Sequence, residues 1–212
     1  MVGARPAVAA RAVVRGVAGG DWQPGGRQRV AANAGQAATS APSAPSTRQV
    51  RASVTVAYVA LGSNLDDPRR QVLDALEALA HLPGTHVLQR SFLYRTPPWG
   101  VLDQPPFVNA AAELDTSLTP HALLDALLAI EQRAGRVRGV VNGPRTLDLD
   151  LLHVAGVQCH DGRLTLPHPR MRERAFVLLP LNDIAPSLLL AGTLTVAQQL
   201  ARLDLAGCER IM

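Results

Sequence analysis

The sequence predicts an α+β fold: a sandwich of one sheet with helices, ordered β-α-β-β-α-β, with an extra hairpin and helices at its C-terminal end. Three observations predict it. After residue 52 the apolar pattern switches repeatedly between short β-branched runs and helical spacing. Proline and glycine punctuate each switch, and helix-opening residues stand where two of the helical patterns begin.

Residues 54–61 are rich in Val and stop at Gly62, as a buried strand would. Asn64 or Asp66 is placed to cap a helix with Pro68 in its first turn; Val72, Leu73, Leu76 and Leu79 recur on one face, and Pro83-Gly84 ends it. Residues 85–94 read as one second strand. A loop over 94–106 is stiffened by Pro97, Pro98, Pro105 and Pro106, and residues 107–116 form a third strand. Thr119-Pro120 opens a helix with Leu123, Leu124, Leu127, Leu128 and Ile130 inward, and Gly135 closes it. An Arg-bearing loop over 135–145 leads into a fourth strand, 146–154. That order is the split-βαβ, ferredoxin-like arrangement. A short hairpin around Gly156 and Gly162 follows, then helical stretches near 172–179 and 195–203.

The chain has 212 residues, 47% hydrophobic and 18% charged, enough for an ordinary core without disulfide staples. Its longest apolar runs, 54–61 and 175–181, fall far short of the roughly 18 residues that would cross a bilayer, so a membrane partner is not expected. Every basic residue is Arg, which excludes lysine-dependent phosphate loops and Schiff-base chemistry. Residues 1–52 carry seven Arg against Asp21 alone, whereas 53–212 carry fourteen Arg against sixteen acids. The basic character thus belongs to the N-terminal segment, and a nucleic-acid surface on the body is not expected. With its Ala, Gly, Pro and Ser content, segment 1–52 is expected to be a disordered extension to a domain over 53–212. An organelle transit peptide and an over-called start codon are the other readings of that segment. Cys159 and Cys208 make neither a disulfide framework nor a four-ligand zinc site, which fits a cytoplasmic protein with two inert thiols.

The strongest chemical signal is Arg145-Thr-Leu-Asp-Leu-Asp-Leu151. On a strand, Asp148 and Asp150 share one face, with Cα atoms roughly 6.5–7 Å apart. Paired carboxylates suit Mg²⁺, which completes its shell with water and phosphate oxygens. Arg136, Arg138 and Arg145 precede the pair, and Arg163, Arg172 and Arg174 follow it; guanidinium forks match phosphate oxygens. Acids for a metal and arginines for phosphates are the parts phosphoryl-type transfer requires. A solvated strand face with surface ion pairs also fits these residues. Glu131 lies near a helix C-terminus, where the dipole disfavours its charge.

Several segments together resemble the 6-hydroxymethyl-7,8-dihydropterin pyrophosphokinase family of folate biosynthesis. They are Ala57-Tyr-Val-Ala-Leu-Gly-Ser-Asn-Leu65, Tyr94-Arg-Thr-Pro-Pro-Trp-Gly100, Gln104-Pro-Pro-Phe-Val-Asn109, Glu131 with Gly135-Arg-Val-Arg138, Gly143-Pro-Arg-Thr-Leu-Asp-Leu-Asp150, and Leu166-Pro-His168. The resemblance implies the same sandwich fold and transfer of diphosphate from ATP to the pterin hydroxymethyl group, releasing AMP. It implies two Mg²⁺ ions on Asp148 and Asp150, with Arg136 and Arg145 acting catalytically on the phosphates. It places Arg138, His168 and Arg174 on the ATP side, with Arg163, Thr165 and Arg172 as outer members. On the pterin side it places Thr96, Pro97, Pro98 and Trp99, with Phe107, Asn109 and Phe176 forming the pocket. Gly62-Ser63-Asn64 reads as a capping turn. The expected partners are small molecules only, and the expected state is a monomer.

In the family the loop before Gly143 commonly ends in Arg-Trp; here it is shorter and ends in Asn142, which implies weaker closure over the nucleotide. Leu128 stands where a polar residue is often found near the adenine. Three other readings weigh against this one: an RNA-binding module of the same element order, a nucleotidyltransferase with Gly-Ser and D-x-D elements, and a family member silenced by its altered loop. The first lacks sheet aromatics beyond Phe107, and in the second Ser63 and Asp148 would lie closer together in the chain.

Overall fold

The computed structural model describes residues 54–137, 143–190 and 192–211. Segment 1–52, Arg138 and Asn142 lie outside the described residues. The chain forms a mixed α and β structure around an antiparallel sheet of six strands.

β1 (Thr55–Ser63) is central, antiparallel to β4 (Phe107–Thr116) on one side and β5 (Asp148–Val154) on the other. Beyond β4 the expected second strand arrives in two pieces, β2 (Thr85–Arg90) and β3 (Leu93–Thr96), both paired with β4. The break has a local cause. The ladder shifts register between Val87 and Gln89, and Ser91 then patches the gap: its amide donates to Ala111 O at 2.9 Å, and its hydroxyl accepts from Ala111 N at 2.8 Å. No apolar pattern marks this, because the interruption is a hydrogen-bond event. The fourth strand begins at Asp148 rather than 146. The strand β8 (Glu209–Ile211), too short for any periodicity, lies against the outer edge of β3 and was not expected.

The helices sit on both faces. α1 (Pro68–Ala80) and α2 (Pro120–Arg133) bury Val72, Leu76, Leu79, Leu123, Leu127 and Ile130 against Ala57, Val59 and Leu61 of β1 and Leu149 and Leu151 of β5. On the opposite face α3 (Ala175–Ile184) and α4 (Val196–Leu200) cover Ala60, Ala111 and Leu152. α3 starts later than the pattern near 172–179 implies, because Met171–Glu173 forms a separate 3-10 turn and Arg174 is extended. A small hairpin, β6 (Cys159–His160) and β7 (Thr165–Leu166), occupies the expected place.

The cap of α1 is Asp67, whose side chain accepts from Arg70 N at 3.3 Å, and neither Asn64 nor Asp66. Asp66 and Asp67 adopt φ of 50° and 59°, a left-handed pair that aspartate tolerates and that delays helix entry. Asn64 is engaged elsewhere. Its Nδ2 donates to Gln104 Oε1 and Pro105 O, both at 3.0 Å, and its Oδ1 accepts Arg145 N at 2.8 Å. Its own amide donates to Arg145 O at 3.1 Å. This buried side chain thus joins the end of β1 to the proline-rich loop and to the approach of β5. Asn64→Ala leaves part-buried donors and acceptors unmatched, and is expected to cost about 1 kcal/mol or more, read as a lower urea midpoint.

Candidate active site

Leu149 and Leu151 of β5 enter the core under α1 and α2, so alternation turns Asp148 and Asp150 to the face that α3 covers. The register aligns them with β1: Gly62 lies beside Asp148 and Ala60 beside Asp150. Gly62 also pairs with Asn109 of β4, and Asn109 with Tyr94 of β3. One row across the sheet therefore reads Asp148, Gly62, Asn109, Tyr94. The absence of a side chain at Gly62 matters, since a Cβ there would come within 2.8 Å of Asn109 Oδ1.

Asp148 is gripped from two sides. Arg136 Nη1 reaches its Oδ1 at 2.6 Å, and Arg145 Nη1 its Oδ2 at 2.6 Å. Arg136 in turn binds Glu131, which is buried and also accepts Leu149 N at 2.7 Å. Burial is the largest influence on Glu131 and raises its pKa; the Leu149 amide and Arg136 oppose that. The helix-end position that disfavours its charge is offset by these donors. Asp150 has one long contact among the described residues, 3.6 Å from Arg174 Nη1. Its pKa is pushed up to about 6, first by desolvation and then by the Asp148 charge, against the pull of Arg174, Arg136 and Arg145.

Next to these acids lies a cleft lined by Thr96, Pro97, Trp99, Phe107, Phe176 and Arg174, together with Gly62, Asn109, Arg145 and Asp148. Asn109 Nδ2 donates to Thr96 Oγ1 at 2.8 Å, which fixes the amide plane and turns its Oδ1 toward Gly62. Arg174 stacks over Trp99 at 5.3 Å and Phe176 at 5.5 Å, and Arg145 over Phe107 at 5.9 Å. Flat apolar faces thus border guanidinium groups, an arrangement able to take a planar ring at one end and anionic oxygens at the other.

Of the residues singled out in the sequence, Thr96, Pro97, Trp99, Phe107, Asn109, Phe176, Arg145, Asp148 and Arg174 line this one cleft. Arg136 and Asp150 adjoin it through Asp148 and Arg174. Pro98 lines a neighbouring groove with Trp99 and Phe176. Arg163 and Thr165 sit on the β6–β7 hairpin, where Arg163 pairs with Asp125 of α2 and Thr165 Oγ1 meets His160 Nδ1 at 3.3 Å. Arg172 lies near α4, its carbonyl accepting Gln199 Nε2 at 2.9 Å. Sequence reading missed the clamp at Asn64 and the spacing role of Gly62, which stand together in one short motif. It also missed Arg170, whose guanidinium lies 5.9 Å from the Trp99 ring.

His168 approaches the same charges. Its pKa is lowered to about 4, chiefly by burial and then by Arg174 and Arg170, and its Nδ1 is buried with no partner among the described residues. The folded chain keeps this ring neutral down to about pH 4, whereas in the unfolded chain it takes up a proton near 6.5. The contribution of His168 to stability is therefore full above 6.5 and falls as pH drops toward about 4. His168→Gln is expected to remove this part of the acid sensitivity. Urea midpoints at pH 7.5 and 5.0 should converge for the variant relative to the parent; an unchanged difference overturns the assignment.

Comparison with known proteins identifies the family. The family model described as 7,8-dihydro-6-hydroxymethylpterin-pyrophosphokinase matches residues 58–186. The 2-amino-4-hydroxy-6-hydroxymethyldihydropteridine pyrophosphokinase of Methylorubrum extorquens is 52% identical over 158 residues, 74% of this chain and 99% of that protein. The protein of the same name from Pseudomonas aeruginosa is 52% identical over 155 residues, 73% of this chain and 95% of its own length. In fold, the chain resembles a crystallised Plasmodium falciparum HPPK-DHPS with TM-score 0.58 at 13% identity, covering 77% of this chain and 48% of that one. By sequence, the chain belongs to the 7,8-dihydro-6-hydroxymethylpterin-pyrophosphokinase family.

Proposed function

We propose that the chain transfers the terminal diphosphate of ATP to the hydroxymethyl group of 6-hydroxymethyl-7,8-dihydropterin, yielding the pterin diphosphate and AMP in folate biosynthesis. The observation that carries this reading is the acid pair Asp148 and Asp150, ringed by Arg136, Arg145 and Arg174 beside an aromatic cleft. In the reaction the hydroxyl oxygen bonds to the β-phosphorus, the bond from that phosphorus to the α,β-bridging oxygen breaks, and AMP leaves with that oxygen. The hydroxyl proton passes to solvent.

The donor set fits two Mg²⁺ ions. Both acids offer hard oxygen atoms, and among the described residues the carboxylate of Asp150 has only a 3.6 Å contact with Arg174. Arg174 Nε and His168 Nδ1 are buried polar atoms without partners among the described residues, suited to an anionic ligand. Bound there, Mg²⁺ neutralises phosphate oxygens and favours in-line displacement. Arg136 and Arg145, now on Asp148, are positioned to pass their forks to the phosphates and stabilise charge on the transferring group. His168 and Arg174 hold the triphosphate, with Arg138, Arg163, Thr165 and Arg172 as outer contacts. Asn109 reads the amide-like edge of the pterin, held by Thr96; Phe107 and Phe176 border the ring; and Pro97, Pro98 and Trp99 present backbone atoms to it.

We read the strand order β5-β1-β4 followed by the divided β2 and β3 as a ferredoxin-like sandwich whose second strand is broken. Residues 53–212 are read as the catalytic domain and 1–52 as an extension. We read the protein as a cytoplasmic monomer; this rests on its two free cysteines and on a small-molecule site built from one chain. Among the described residues no helix is long and apolar enough to cross a membrane.

The deciding experiment is incubation with ATP, Mg²⁺ and the hydroxymethyl pterin. One AMP per pterin consumed is expected, and ADP would overturn the reading. Asp150→Asn and Asp148→Asn are each expected to lower kcat on the order of 10²-fold or more. Gly62→Ala should push Asn109 out of place and raise KM for the pterin by about tenfold, the equivalent of one lost buried hydrogen bond. KM for ATP should hold in that variant, and an equal rise in both would place Gly62 outside the pterin pocket.

A further inference from the structure

A second group of side chains stands apart from the cleft, where the start of α2 meets the β6–β7 hairpin. His121 is the second residue of α2, Cys159 opens β6, and Asp161 lies in the turn between the two strands. The ligand atoms of these three residues all lie within 4.8 Å of one another. Asp161 is set in place by the turn itself: its Oδ1 accepts Arg163 N and Leu164 N, both at 2.8 Å. That leaves Oδ2 aimed at His121 Nε2, 2.8 Å away, and within 3.3 Å of Cys159 Sγ. Imidazole nitrogen, thiol sulfur and carboxylate oxygen thus converge from two elements with no sequence proximity between them.

We infer that His121, Cys159 and Asp161 form a binding site for a borderline-soft divalent ion of the zinc type, pinning the N-terminal turn of α2 to the hairpin. Nitrogen, sulfur and oxygen are the donors such ions take, at about 2.0–2.3 Å, with water in a fourth position. A tetrahedral shell of that size separates neighbouring donors by about 3.3–3.7 Å. Asp161 and His121 must therefore part slightly from 2.8 Å, while the sulfur–oxygen spacing of 3.3 Å is already close. The adjustment is cheap, since the His121 and Asp161 side chains are 43% and 42% exposed. On binding, the thiol proton that Cys159 shares with Asp161 leaves to solvent, and His121 binds through the Nε2 lone pair. The guanidinium of Arg163 is turned to Asp125 of α2, 2.5 Å away. The two amides on Oδ1 act as an outer shell that fixes the carboxylate, a feature that supports affinity in known metal sites.

The test is titration of the full chain with Co²⁺ under excess Mg²⁺, which occupies hard oxygen sites and leaves thiolate ligation visible as a near-ultraviolet charge-transfer band. The band should saturate at one Co²⁺ per chain and be displaced by Zn²⁺. It should persist in Cys208→Ser, vanish in Cys159→Ser, and weaken in affinity by about tenfold or more in His121→Ala. Absence of the band, its survival in Cys159→Ser, its loss in Cys208→Ser, or unchanged affinity in His121→Ala would each overturn the site. The readout is independent of pyrophosphokinase activity.

Discussion

Two negative charges on one face of a buried strand are the constraint around which the rest is arranged. Asp148 and Asp150 share a face, and the charge of Asp148 adds to the desolvation that Asp150 already carries. Arginine supplies the compensation, and each fork comes from a different part of the chain: Arg136 from the end of α2, Arg145 from the approach to β5, Arg174 from the start of α3. The network therefore ties both helical layers to the central sheet. Glu131 extends it inward, receiving the Leu149 amide and pairing with Arg136, so α2 is anchored to β5 by that hydrogen bond and, through the Glu131–Arg136 ion pair, to Asp148, as well as by leucines. Such a pair matters more for fixing geometry than for net stability, because desolvation offsets much of its attraction.

In the proposed reaction the same network would exchange its ligands. An arginine bound to a carboxylate can pass to a phosphate when cations take over the carboxylate, since the guanidinium keeps its charge throughout. The aromatic side depends on a different economy of space. Gly62 contributes nothing but room, and Asn109 and Thr96 use that room to hold one amide in a defined orientation. Charge control and shape control thus meet on one row of residues across three strands.

Much of this was legible in the sequence because it depends on periodicity. The strand at 107–116 and the helix opened by Thr119-Pro120 follow from alternation and capping, and alternation also put Asp148 and Asp150 on one face. What escaped depends on hydrogen bonds between segments far apart in the chain. Asn64 reads locally as a cap, yet its partners are 40, 41 and 81 positions away, and only the assembled fold brings them to it. The split of the second strand rests on the Ser91 hydroxyl, and β8 is too short to carry any pattern. Phe107 and Phe176 could equally have been core; their place at a cleft is a tertiary fact. Cys159 read as inert because its neighbours His121 and Asp161 belong to no common motif.

The interruption between β2 and β3 has a mechanical consequence. A continuous ladder would carry any displacement of Thr96 straight along the strand to Thr85 and into the packing of α1. Here, between the two pieces, the ladder with β4 is reduced to the Ser91 amide and hydroxyl on Ala111. Tyr94 instead moors the inner piece to Asp183 of α3, through contacts of 2.9 and 3.1 Å. The segment that carries the rim of the cleft is therefore tied to two layers at once, to β4 by its own ladder and to α3 by a single tyrosine, so a shift of the rim is shared between the sheet and the helix opposite.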